Sequence, residues 1–252
     1  MKTVKMTVLS TALLATLSMS AFAGDDAAKG EVDPSDMTRA SSNMYVALNN
    51  KGDVKLSGAL SYTYDNGQMS MVTLEGSMNN EGRYKDSRAQ YFHVFNLKNA
   101  TTPRVAASLD IIDNTSFTTA AVGGIAIFRT PIDSLTFFGR AAVMGGEYSD
   151  DTTAAFGVTD NSIVGGMAAA YAVWKPGADG TYFAAYPEFT YMNGDIETST
   201  VKTTLLAATP FSADKTRWGQ IKVENTYGSM KSTNQSLDID DTVAWVQYKV
   251  FF

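Results

Sequence analysis

From about Ser42 onward the chain is a succession of short runs in which apolar and polar residues alternate, separated by turn-forming residues. Side chains on a β-strand point to opposite faces in turn, so each run offers one apolar and one mixed face. The run Val54–Tyr64 shows the pattern: Leu56, Gly58, Leu60, Tyr62 and Tyr64 share one parity, and Lys55, Ser57 and Ser61 the other. Asp65-Asn66-Gly67 and Asn193-Gly194-Asp195 are hairpin signals, because Asn and Gly accept the positive φ that tight turns require. The predicted runs are Ser42–Asn49, Val54–Tyr64, Met69–Met78, Arg83–Lys98, Pro103–Ile112, Ser116–Arg129, Leu135–Gly145, Ser162–Trp174, Thr181–Met192, Ile196–Ala208, Thr216–Met230 and Asp241–Phe252. The two longest polar stretches, Gly146–Asn161 and Lys231–Asp240, follow the seventh and eleventh runs. An even strand count puts both termini on one side, and both long loops then fall on the opposite side.

The closing run reads DTVAWVQYKVFF. Counting back in twos from Phe252 gives Val250, Tyr248, Val246 and Ala244, all apolar, whereas Lys249 and Gln247 share the other parity. With its terminal aromatic, this stretch resembles the end of a Gram-negative outer-membrane β-barrel. The resemblance implies an all-β, antiparallel, up-and-down transmembrane barrel of about twelve strands. It implies that Val246, Tyr248, Val250 and Phe252 form a signal for the barrel assembly machinery, with outer-membrane lipid and lipopolysaccharide as surroundings. Twelve-strand channels of the oligogalacturonate porin and nucleoside channel types are similar in size, but no shared motif carries residues across.

The start of the chain changes the picture next. Lys2 and Lys5 precede an apolar run and Ala21-Phe22-Ala23, the layout of a secretory signal peptide over 1–23 with cleavage before Gly24. Residues 24–40 are acidic and small, and are expected to form a flexible periplasmic lead-in to a barrel spanning 41–252, the alternative being a plug folded into the lumen. No other apolar stretch approaches the ~20 residues a membrane-spanning helix needs. Cysteine is absent, which removes thiol chemistry and disulfide stabilisation. The net charge is −6, and −8 once Lys2 and Lys5 leave, the wrong sign for nucleic acid.

If the apolar face of each run meets lipid, the opposite parity faces the lumen. That predicts Lys55, Glu75, Asp86, Arg88, Arg104, Asp110, Arg140, Glu188, Lys202, Lys222, Glu224 and Lys249 as the lining. Exposing Arg or Lys to lipid near the midplane would cost about 2–4 kcal/mol, which is the physical reason for the assignment. The lining mixes both signs and contains no ring of one charge. Tyr62, Tyr64, Tyr84, Trp174, Tyr191, Trp218 and Tyr227 lie near strand ends and suit interfacial girdles. The glycine pairs Gly123-Gly124 and Gly165-Gly166 suggest strand bending or space inside.

No cofactor or metal motif is legible. The acidic loop residues Glu147, Asp150, Asp151, Asp160, Asp238, Asp240 and Asp241 match no calcium-loop spacing. The single histidine, His93, shares a face with Tyr91 and Phe95, toward lipid. A serine hydrolase would need a serine and an orienting group beside it. Ser87, Asp86 and Asn96 are its sequence neighbours, without a matching run, so no enzyme is expected. The expected function is a porin-like channel for passive diffusion of small hydrophilic solutes. The alternative is a non-conducting structural or surface-interaction barrel acting through its acidic extracellular loops.

Overall fold

The computed structural model describes residues 32–252; the predicted signal peptide lies outside the described residues. Twelve strands form one closed antiparallel barrel in which each pairs with its sequence neighbours. They are β1 (Asn43–Asn49), β2 (Val54–Thr63), β3 (Met69–Met78), β4 (Tyr84–Asn96), β5 (Arg104–Asn114), β6 (Phe117–Arg129), β7 (Leu135–Tyr148), β8 (Ser162–Trp174), β9 (Tyr182–Asn193), β10 (Glu197–Pro210), β11 (Arg217–Lys231) and β12 (Ser236–Phe251). β12 returns to β1, with Asn43 opposite Phe251 and Asn49 opposite Trp245. Closure pairs every strand edge, which a hydrocarbon surround requires because it offers no hydrogen-bond partner.

The outer surface carries Leu60, Val72, Leu74, Leu109, Ile111, Val122, Val143, Val164, Leu205, Ile221 and Val246, all exposed. A continuous apolar belt would be an aggregation hazard in water and is the lipid-facing wall of a membrane barrel. Tyr62, Tyr64, Tyr84, Trp174, Tyr191 and Tyr227 are likewise exposed near strand ends. Trp218 departs from the girdle expectation. It is 1 % exposed, faces inward, and its indole N–H donates to the Lys215 carbonyl. On β11 the even residues point in, so Trp218 shares the parity of Lys222 and Glu224 rather than that of Ile221 and Val223.

The strands outrun the hydropathy pattern on the side away from the termini. The stretch expected to be a loop over 231–240 is mostly ladder, with β11 running to Lys231 and β12 starting at Ser236. Leu237 and Ile239 occupy the parity that faces inward lower down, so the lipid-facing alternation breaks there although backbone pairing continues to Lys231↔Ser236. The other long stretch also differs: β7 continues to Tyr148, and Asp150–Phe156 form a short helix, α1, capped by Ser149 and closed by Gly157. Ser232 and Asn234, in the β11–β12 turn, donate to the Phe156 and Gly157 carbonyls and join the two loops. Phe156 packs inward on Tyr148, Ile163, Met192 and Ile196.

Glycine has a steric role in two inward positions. A Cβ on Gly123 would lie 2.4 Å from the Ala141 carbonyl oxygen, and one on Gly165 would lie 2.2 Å from that of Tyr191. Both glycines therefore permit close approach of neighbouring backbones.

Candidate functional site: the barrel interior

The inward parity collects charge in the middle of the barrel. Asp110 on β5 is 1 % exposed and accepts from Arg88 Nε at 2.8 Å, Gln90 Nε2 at 2.8 Å and Arg140 at 3.3 Å. One carboxylate thus joins β4, β5 and β7. Arg88 also reaches toward Glu75 on β3 at 4.0 Å, and Glu75 accepts from the Tyr45 hydroxyl of β1. Buried charges are costly unless paired and hydrogen-bonded, so this set is held as a unit.

Farther round the wall, Lys202 meets Glu188 at 2.9 Å between β10 and β9 and Lys222 meets Glu224 at 3.0 Å on β11, while Lys55 on β2 meets Asp86 on β4 at 3.4 Å. The Lys55 and Lys222 ammonium groups lie 5.7 and 5.6 Å from the ring centre of Trp245. Trp245 is 8 % exposed, and its indole N–H is buried without a hydrogen-bond partner among the described residues. Lys249 is held by aromatic faces, 5.9 Å from the Tyr45 ring centre and 5.0 Å from that of Phe251. Tyr171 and Tyr186 face each other at 4.9 Å. Arg104 binds Asp36 and Thr38 from the segment preceding β1. The structure therefore places all twelve predicted lining residues inside, eleven of them in ion pairs. The aromatics Tyr45, Tyr171, Tyr186 and Trp245 among them were not singled out by sequence, because an inward aromatic has the same composition signal as a lipid-facing one.

The segment before β1 is the main departure from expectation. In place of a free lead-in, residues 32–40 lie inside the end where β1 begins and β12 finishes. Thr38 is fully buried and Ser35 is 2 % exposed. Val32 and Met37 pack on the inward apolar cluster that includes Val94, Ile127, Phe138, Tyr171 and Trp218. Asp33 accepts from Lys175 at 2.6 Å, and Asp36 from Arg104. Each aspartate also accepts from the backbone and hydroxyl of the residue two ahead, Ser35 and Thr38. Acidic, small composition reads as disorder; here local Asp turns and two wall cations supply partners that low hydrophobicity does not reveal. Burial disfavours charge on Asp33, but Lys175 and Ser35 outweigh it and hold the carboxyl below its ordinary range.

His93 lies on the outer wall with a serine the sequence did not suggest. Ser70, directly opposite it on β3, has Oγ 2.8 Å from His93 Nδ1, and Gln68 Oε1 lies 3.1 Å from Nε2. Ser70 Oγ also meets the Tyr64 and Tyr91 hydroxyls at 3.1 Å each. A hydroxyl has one proton to donate and two lone pairs. Three partners occupy all three, and Ser70 is 8 % exposed, so the group is a saturated interfacial clamp. Cross-strand pairing brings these residues together across 23 positions, and local sequence scanning around His93 misses it.

Among the described residues, no cluster of three or more metal-ligating side chains is present. No family model matches the chain. No curated protein matches it either. Solved structures do. The NanC porin is 10 % identical, with 84 % of this chain and 100 % of that chain covered and a TM-score of 0.57. The COG4313 outer membrane channel from Pseudomonas putida F1 is 11 % identical, covering 88 % and 100 %, at 0.56. The KdgM porin is 9 % identical, covering 84 % and 99 %, at 0.52. At such identities the likeness is one of fold.

Proposed function

We propose that this chain, an integral outer-membrane β-barrel of twelve strands with the fold of small porins and channels, is a passive channel for small hydrophilic solutes. The observation that carries this reading is the interior: charged and aromatic side chains converge at mid-barrel while the outer wall is apolar. The fold shared with the KdgM and NanC porins over nearly the whole of their own lengths supports it. Opposed pairs such as Arg88–Asp110 and Lys202–Glu188 leave no strong field of one sign, so weak discrimination by charge is expected. Purified protein in a planar lipid bilayer should give stepwise conductance with cation-to-anion permeability within a few-fold of unity. A pure, folded barrel that gives no steps overturns the reading.

A second reading has its own support. α1 and the β11–β12 turn form one joined surface at the end opposite the termini, carrying Asp150, Asp151 and Asp160. On this reading the barrel displays that acidic surface to a partner. Deleting 150–160 should then abolish a surface phenotype while leaving any conductance intact; unchanged surface behaviour counts against it.

A further inference from the structure

We propose that residues 32–40 are a periplasmic gate for the channel, a strap that closes the lumen when docked and opens it when released. The inference rests on the channel reading and adds its regulation. The strap is tethered where β1 begins at Asn43, yet its contacts are on the far side of the ring. Asp36 and Thr38 bind Arg104 at the start of β5, and Asp33 binds Lys175 just beyond β8. In a ring of twelve strands with β1 beside β2 and β12, β7 and β8 lie across from the tether. The segment therefore crosses the mouth.

Its attachments differ in kind. Asp36 and Arg104 are largely shielded, while Asp33 and Lys175 are about one-third exposed and open to screening by salt. Beside the strap is a cavity of about 290 Å³ bounded by Asp33, Ser35, Arg39, Arg129, Leu135 and Phe138. The space lets the segment move along the β6–β7 wall without repacking a strand. Two aspartates, two hydroxyls folded back onto them and two apolar side chains make a compact unit that the described residues anchor through side chains, at Arg104, Lys175 and the inward apolar cluster. A segment held outside the strand ladder can undock without opening the sheet.

Single-channel recording compares the whole barrel with two variants, one lacking residues 32–40 and one carrying Asp33→Asn with Asp36→Asn. The double variant should raise open-state occupancy about tenfold, equivalent to about 1.4 kcal/mol of lost docking. The deletion should remove closures. The charge swap Asp36→Arg with Arg104→Asp should restore them where Asp36→Arg alone does not. Heat-modifiable electrophoretic mobility checks that each barrel is folded. Conductance that is the same with and without the strap overturns the gate and leaves the channel standing. Folded barrels that are silent in both forms overturn the channel, and the gate with it.

Discussion

Asp110 illustrates what a single residue holds here. It is the shared acceptor for Arg88, Arg140 and Gln90, and it is closed off from solvent. Asp110→Asn keeps the shape but leaves Arg140 without its carboxylate and Arg88 with Glu75 alone, at 4.0 Å. Breaking one side of a buried pair costs about 3–5 kcal/mol, so denaturant unfolding in detergent should shift by that order. Replacing the whole set by apolar residues should cost far less, since the desolvation penalty disappears with the charges. The twelve interior ionisable residues were legible in the sequence because lipid penalises charge and a period of two sorts every strand. Their pairing was not: Asp110 meets Arg140 over 30 positions, and parity places residues on a face without giving heights around the ring. Asp33 gives a pH dependence at the same scale. Its folded carboxyl is held below the ordinary aspartate range, so its contribution to strap docking is complete above that range and fades as pH falls through the folded value. Bilayer conductance should therefore rise on acidification below about pH 4, with a smaller rise in Asp33→Asn.

At the level of elements, hydropathy predicts strands well only where the two faces meet different solvents. Within the membrane the runs of β2 and β3 match the structure to within a residue at each end. Beyond it both faces are wet, and Leu237 and Ile239 shift parity while the ladder persists to Ser236. Helix α1 is also a product of local chemistry, with Ser149 accepting from the Thr152 amide and Asp150 and Asp151 in the first turn favoured by the helix dipole. Ser149→Ala should loosen this cap by about 1 kcal/mol. Faster hydrogen exchange over 150–156, with the strand amides unchanged, is the expected readout. The β6–β7–β8–β9 wall depends on missing side chains. Gly123→Val would drive carbon into the Ala141 carbonyl, so a barrel of lower melting temperature is expected. Sequence showed the glycine pairs; the close approach that requires them becomes visible only with register, where Gly123 faces Ala142.

For the whole molecule, both mouths are narrowed by elements that are not strands: the strap at the terminal end and α1, with Phe156 turned inward, at the other. The barrel was readable from the closing strand and the rhythm of turns. The strap was not, because its aspartates find their cations only after the sheet from β1 to β8 has curled round to bring Arg104 and Lys175 within reach. This placement bears on how the molecule is made. The seam between β1 and β12 joins the earliest strand to the last one synthesised, the pairing with the greatest loop entropy to overcome and therefore slow to form. The strap lies immediately ahead of β1, inside the wall that this seam completes. During biogenesis the open sheet must still be curled when the strap settles, or else the strap must enter afterwards through the finished mouth. In the first case Arg104 and Lys175 act as an internal template on which the sheet wraps, and removing the strap would slow seam formation without altering the finished barrel.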